Sequence, residues 1–470
     1  MKLKKSFLVM AAILLMVVSV LSGCGSSSNS GSGESASPQK NETEAPSTAE
    51  TGAVAETGGA GEEKVEIEVW SWLPKSNEWP KLIEAFEKAN PNIAIKPVTY
   101  ENKTDYEQKL KLAMATGEGP DVIANQFGAF LNSMINQVEP LEPYVTKEWG
   151  DKWTEQFKPT AVERLKSIPG MPGMPIGLVA VPLIMYDADM FEQAGITELP
   201  KTYDELKETL KKIEQANLPG VMPHLGFGGN EWGPQVRALY VNLANQIAPN
   251  KIYEADAGKI PFTDPDLVKA AELMKQYADD NVFQPGFLAN KLNPDVQNEL
   301  FYNKKAVPMI MIGSWGVYTW TDREKYKIAD RKFGYFPLPP SVGTEPNVQG
   351  DVNYNLSITK FSEKKEAAWE FVKFMGAGEY QAMQAISLAE MPAAASVEGY
   401  DKNSLQHESE KDALDTITRI SEQNTIGFRS LENAEVESAL FKQLQMMLDG
   451  KQTPEEAMKQ VQSVSEKVNR

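Results

Sequence analysis

From Lys64 onward, apolar and polar residues are patterned in ways that predict discrete elements. Val65, Ile67 and Val69 alternate with Glu66, Glu68 and Trp70, the period-two signature of a strand. Trp79 to Asn90 places Leu82, Ile83 and Phe86 on one helical face, and Asn90-Pro91 stops that helix. Ile93 to Val98 reads as the next strand and Tyr106 to Thr116 as a second helix. Gly117-Glu118-Gly119-Pro120 ends it before the short apolar strand Asp121 to Ala124. Strand, helix, strand, helix, strand predicts a doubly wound α/β fold. Leu178 to Tyr186 is strongly apolar and β-like, Tyr203 to Ala216, Asp266 to Asn281 and Val296 to Phe301 are helical, and Ala306 to Ile312 is a strand. The last hundred residues read as mainly helical: Glu363 to Met375, Glu379 to Ser387, His407 to Gln423, Ala434 to Asp449 and Pro454 to Lys467.

The residues before Lys64 are of a different kind. Lys2, Lys4 and Lys5 precede an apolar run, Phe7 to Leu21, of about 15 residues, shorter than the roughly 20 a membrane span needs. A basic start, an apolar centre and small residues at the exit form a secretion signal. Leu21-Ser22-Gly23-Cys24 resembles the lipobox of bacterial lipoproteins, whose cysteine is acylated and becomes the first mature residue. Cys24 is also the sole cysteine of the chain. Residues 1–23 are therefore expected to be a lipoprotein signal peptide, and Cys24 the lipidation site that holds the protein on the outer face of a membrane. An ordinary signal with an incidental cysteine is the alternative. Gly25 to Glu63, rich in Ser, Gly, Ala, Thr and Glu with no aromatic residue, is expected to be a disordered tether.

Composition narrows the class of the body. The 470 residues allow two or more domains, and 41% hydrophobic with 24% charged residues is ordinary for a globular protein. A net charge of −18 argues against nucleic acid as a partner, because a polyanion needs basic surface to displace its counterions. No disulfide is available if Cys24 is lipidated.

Several stretches, in order, resemble the extracellular solute-binding proteins of bacterial ABC importers that carry sugars. Val69-Trp70-Ser71-Trp72 with Phe86-Glu87-Lys88-Ala89-Asn90-Pro91 resembles the family's start. Tyr106-Glu107-Gln108-Lys109-Leu110 with Gly117-Glu118-Gly119-Pro120-Asp121-Val122, and Tyr186 to Gly195 with Pro200 to Leu206, are similar to its next two signatures. Phe301 to Trp315, Lys365 to Gln381 with Met391-Pro392, and Gly450 to Ala457 complete the series. The resemblance implies a two-lobed, Venus-flytrap α/β fold like that of periplasmic binding proteins, with discontinuous lobes joined by three crossovers. These are expected near Tyr186, near Leu338-Pro339-Pro340 and near Gly376, giving one lobe of residues 64–185 and 340–375 and another of 186–339 and 376–470. It further implies a monomer that takes a carbohydrate, an oligosaccharide for preference, and hands it to the transmembrane permease subunits.

Sugar recognition needs aromatic faces for C–H surfaces and polar groups that converge on hydroxyls. Trp72, just past the first strand, and Trp232, in Gly228-Gly229-Asn230-Glu231-Trp232-Gly233, are candidate stacking residues. Trp315 follows the strand ending at Ile312 and matches a frequent ligand-stacking tryptophan of the family. Asn125 and Gln126, at the carboxyl end of a strand, and Asp351 and Asn353, after Gly350, occupy positions that often contact ligand in the family. Arg429 and Glu390 are further candidates, Lys75 and Glu78 are rim candidates, and Trp369 is expected in the core. Residues 177–182 depart from the family in carrying no acidic or amide side chain where some relatives place a sugar-binding carboxylate.

Other functions fit less well. A glycoside hydrolase needs a carboxylate pair, which 65 acidic residues do not exclude. However, the chain has no Gly-x-Ser-x-Gly elbow and no His-Glu-x-x-His, and its two histidines, His224 and His407, cannot supply a three-histidine zinc site. No cofactor, metal site or enzymatic activity is expected. A surface sensor or adhesin on the same fold, or a binder of a non-sugar solute, remains an alternative.

Overall fold

The structure, a computed structural model, describes residues 64–469 except Asn102 and Glu231, and not the side chains of Thr104, Trp232 and Pro234. Cys24, the leader and the tether lie outside the described residues.

Among the described residues, ten strands form two sheets. The first contains β1 (Val65–Ser71), β2 (Ile93–Thr99), β3 (Val122–Asn125), β4 (Met174–Val181), β9 (Gln349–Ile358) and β10 (Met391–Pro392), in the order β10-β4-β9-β3-β1-β2. The second contains β5 (Leu183–Asp187), β6 (Leu225–Gly226), β7 (Met309–Ile312) and β8 (Phe333–Pro337), in the order β6-β7-β5-β8. β1 pairs in parallel with β2 and β3, as the sequence pattern predicts, whereas β9 runs antiparallel between β3 and β4. The apolar run 178–186 is two strands in different sheets, separated by Pro182 alone.

The helices follow the expected positions closely, including Trp79–Ala89, Tyr203–Ala216, Pro265–Asp279, Lys365–Ala377, Glu408–Gln423, Ala434–Leu448 and Pro454–Val468. Local chemistry fixes several ends. Thr202 Oγ1 accepts from the Glu205 amide, and Thr453 and Glu456 form a reciprocal capping box. Trp369 is buried as expected, stacked near Tyr144 with ring centroids 5.4 Å apart.

The places where the chain changes sheet correct the expected lobe boundaries. The first change falls at Pro182, so Leu183–Met185 belong with the second sheet. The return falls between β8 and β9, in the segment 338–348 that contains the expected Leu338-Pro339-Pro340. Gly376 marks no change: the helix Tyr380–Ser387 packs on β10, and β10 pairs with β4 in the first sheet. The chain next leaves the first sheet between Pro392 and the helix Glu408–Gln423, which packs on β8. The physical reason is the antiparallel pairing Met391–Leu178, which no local pattern in a two-residue strand announces.

Candidate functional site

β9 organises the site. Its residues alternate strictly: Val352, Tyr354, Leu356 and Ile358 enter the apolar core, and Asp351, Asn353, Asn355 and Ser357 lie on the opposite face. All ten residues of β9 are buried, so its polar face must find partners inside the protein. At one end, Ser357 Oγ accepts from Asn125 Nδ2 at 2.8 Å and donates to the Pro172 carbonyl at 2.5 Å. At the other, Asp351 Oδ1 lies 3.4 Å from Arg164 Nε, whose NH1 donates to Glu432 at 2.6 Å. Burial raises the Asp351 pKa and Arg164 opposes the rise.

Asn353, between these two, meets a cavity of about 860 Å³. Its Oδ1 accepts from Arg429 NH1 at 2.5 Å, its carbonyl from Arg429 NH2 at 2.6 Å and Gln126 Nε2 at 2.7 Å, and its Nδ2 donates to Glu390 Oε1. Asn353, Arg429 and Glu390 are 8%, 7% and 2% exposed, and all three line the cavity. Burial pushes the Glu390 carboxyl up to about 8, against the opposing effects of the Asn353 hydrogen bond and the Arg429 charge. The same burial pushes Arg429 down to about 10. Glu390 packs over Gly177: a Cβ there would lie 2.6 Å from Glu390 Cβ. Residues 177–182 carry no carboxylate, and that of Glu390, just before β10, packs beside them across a glycine that makes room for it.

Both lobes contribute to the cavity. Trp72, Lys103, Lys111, Gln126 and Phe130 come from the first-sheet side, and Gln297, Trp315, Tyr318 and Tyr326 from the second. Gly313 lets the Trp315 ring fold back over its own turn, because a Cβ would sit 1.9 Å from Trp315 Cζ3. Trp315 is half-buried and packs against Val179, Val181 and Ala238. Trp72 is 7% exposed, with Tyr106 at 5.3 Å between ring centroids and Lys103 Nζ 5.5 Å from its own. Lys103 also donates to Gln126 Oε1 at 2.7 Å and pairs with Glu107 at 2.9 Å, and desolvation lowers its pKa.

Five of the expected site residues therefore meet at one cavity: Trp72, Gln126, Trp315, Asn353 and Arg429, with Glu390 and the rim residue Lys75. Two do not. Asn125 is fully buried and serves the β3–β9 contact, and Asp351 faces Arg164 away from the cavity lining. The strand pleat explains Asn125: β3 commits it to the sheet, and its successor Gln126 is the residue released toward the cleft. Glu78 accepts from the Lys75 amide at 2.7 Å and acts as a turn residue. The backbone of Trp232 opens the helical segment Trp232–Arg237, and its side chain lies outside the described residues. Sequence reasoning missed Lys103, Arg237, Gln297 and Tyr318, which sit on helical segments with no distinguishing local signal. β9 itself was detectable: Val352-Asn353-Tyr354-Asn355-Leu356-Ser357-Ile358 is a perfect period-two run.

Among the described residues, no group of three or more His, Cys, Asp or Glu is arranged to hold a metal ion, and no helix is long and apolar enough to cross a membrane. Comparison with known proteins adds a family match. The family described as bacterial extracellular solute-binding protein matches residues 71–382. A maltotriose-binding protein of Pyrococcus abyssi is 24% identical over 309 residues, 63% of this chain and 60% of the relative's length. A chitin oligosaccharide binding protein of solved structure superposes with a TM-score of 0.70 at 22% identity, covering 86% of this chain and 99% of the other. The maltose-bound MalE3 of T. maritima gives 0.68 at 22%, covering 86% and 100%. These likenesses establish the two-lobed α/β fold.

Proposed function

The chain belongs to the bacterial extracellular solute-binding protein family, and from that premise we propose that it captures an oligosaccharide between its lobes and delivers it to the permease of an ABC importer. The observation that carries this is the composition of the interlobe cavity. Trp315, Tyr318 and Tyr326 offer aromatic surface, while Gln126, Gln297, Asn298 and Asn353 offer planar amides. Aromatic faces suit sugar C–H surfaces, and side-chain amides can satisfy hydroxyls that would otherwise be buried unpaired at roughly 1–3 kcal/mol each. About 860 Å³ lies in the upper part of the range for small-molecule sites, large enough for more than one sugar ring. The names of the maltotriose-, chitin oligosaccharide- and maltose-binding relatives support carbohydrate as the ligand class.

In this mechanism the lobes, 64–181 with 349–392 and 183–337 with 408–469, close about the strands that join them. Ligand stabilises the closed form only by the contacts it makes better there. The protein binds and releases without turnover. Lipidation at Cys24 keeps the monomer beside its permease, and residues 25–63 set its reach. A thermal-shift panel of oligosaccharides, followed by calorimetry on each hit, tests the binding; no stabilisation by any saccharide overturns it. Cys24→Ser, expressed in a bacterium that processes lipoproteins, should move the protein from the membrane fraction to the medium or periplasm. Retention in the membrane would remove the anchor from the proposal.

A further inference from the structure

The charges lining the cleft do not balance, and they are opposite in sign to the protein. The whole chain carries −18, yet its cavity is lined by Lys75, Lys103, Lys111, Arg237 and Arg429 against Glu107, Glu390 and Glu437. Most of the pairings are accounted for. Lys103 pairs with Glu107 at 2.9 Å and Arg237 with Glu437 at 2.9 Å. Lys75 lies 3.9 Å from Glu101 at the rim.

Arg429 and Lys111 are left over. Arg429 is buried, with NH1 and NH2 spent on the neutral Asn353 and with Nε unpartnered among the described residues. No carboxylate among those residues forms an ion pair with it, and the two whose charge reaches it are engaged elsewhere, Asp351 by Arg164 at 3.4 Å and Glu390 by Asn353. Among the described residues, Lys111 has only the face of Phe130, 5.4 Å away. The remaining cleft acid, Glu390, is held by Asn353 rather than by either cation. Burial favours its protonated form at neutral pH, so it offers Arg429 little compensation.

A guanidinium taken out of water is strongly disfavoured unless something supplies a close counter-charge. A cleft with low-dielectric walls also focuses the field of its surplus charge on whatever enters. We propose that the oligosaccharide is anionic, carrying a carboxylate or ester anion that Arg429 and Lys111 neutralise in the cleft. This rests on the carbohydrate reading above and narrows it to acidic glycans.

Matched pairs of probes test it by calorimetry at low salt. Trigalacturonate is compared with galactotriose, a glucuronate-bearing xylo-oligosaccharide with its neutral xylo-oligosaccharide, and a sulfated disaccharide with its unsulfated parent. The expected result is that at least one acidic probe binds tenfold or more tighter than its neutral partner, and that raising the salt to about 0.5 M erodes the difference. Whether the carboxylate or the sulfate probes respond identifies the anion. Lys111→Gln, at an exposed position that does not endanger folding, should cut the acidic preference at least threefold with little effect on the neutral probe; Arg429→Gln should cut it further. Neutral probes binding as well as their acidic partners would overturn the inference and leave the carbohydrate reading standing. If no saccharide of either kind binds, both fall. An acidic preference unmoved in both Lys111→Gln and folded Arg429→Gln would also refute the assignment.

Discussion

Glu390→Gln isolates the acid beside the cleft. Its Oε1 accepts from Asn353, and its Oε2 has no hydrogen-bond partner among the described residues. Glutamine therefore keeps the acceptor that is used and replaces an oxygen that receives nothing. Burial raises the carboxyl from 4.5 to about 8 in the folded protein. Over the interval between those values the native state holds a proton that the unfolded chain has released. Stability must then fall as pH rises, at about 1.4 kcal/mol per pH unit for one proton. The contribution is fully present below 4.5, lost through the interval and gone above about 8. Between pH 5 and pH 7 the change is on the order of 2 kcal/mol. Glutamine does not titrate, so urea unfolding at pH 5, 6 and 7 should show the variant gaining on the wild type by that amount. Asp256, raised by burial to about 7, and Asp351, raised by burial, act with the same sign but cancel in the comparison. A constant difference between the two proteins from pH 5 to 7 would refute the reasoning. It would mean that Glu390 stays ionised as the counter-charge of Arg429 across Asn353, which would leave Lys111 to carry the surplus positive charge of the cleft.

Trp315→Ala should weaken saccharide binding by about 1 kcal/mol or more, since it removes a half-buried cavity ring worth roughly 0.5–1.5 kcal/mol beyond its area; calorimetry showing unchanged affinity would take Trp315 out of the site. Gly177→Ala sets a methyl 2.6 Å from Glu390 Cβ and should cost about 1–3 kcal/mol of stability in urea titration, with Glu390 displaced. Arg331→Met leaves Asp187, 2% exposed, without the two guanidinium bonds of 2.9 and 2.6 Å that pair it. The change should cost about 3–5 kcal/mol, and an unchanged urea midpoint would show that the pair contributes nothing.

The outer layers of the fold were the most legible in the sequence. Trp79–Ala89 and Tyr203–Ala216 write their buried faces as regular apolar spacings, and Pro, Gly or a capping Thr marks their ends. The central strands were harder because they are buried on both faces. The run 178–186 shows uniform apolarity, so nothing in its pattern reveals that Pro182 divides it between sheets. β10 is two residues long and is defined by its partner, Leu178, more than two hundred positions earlier. Here the determining contact is tertiary, and no window of sequence contains it.

Within the site, the legible residues were those released at the carboxyl ends of strands, Trp72, Gln126 and Trp315. They stand one or a few positions beyond an apolar run, where an open α/β sheet presents its crevice. Asn125 and Asp351 line no part of the cavity, and polarity at a strand end or in a strand reads the same whether the partner is a ligand or the protein. The distinction lies in what each one faces. Asp351 and Asn353 share one face of β9, but Arg164 covers the first, and only Asn353 reaches the cavity, where Arg429 and Glu390 meet it. Those two come from segments 39 residues apart that approach only when the chain has changed lobe. Asn353 is a neutral bridge between a buried cation and a buried acid, so the anionic ligand proposed above would tie its charge to acid protonation and lobe position through a single amide. A ligand that compensates Arg429 should change the proton affinity of Glu390, and it should do so only while residues 424–433 hold Arg429 against β9.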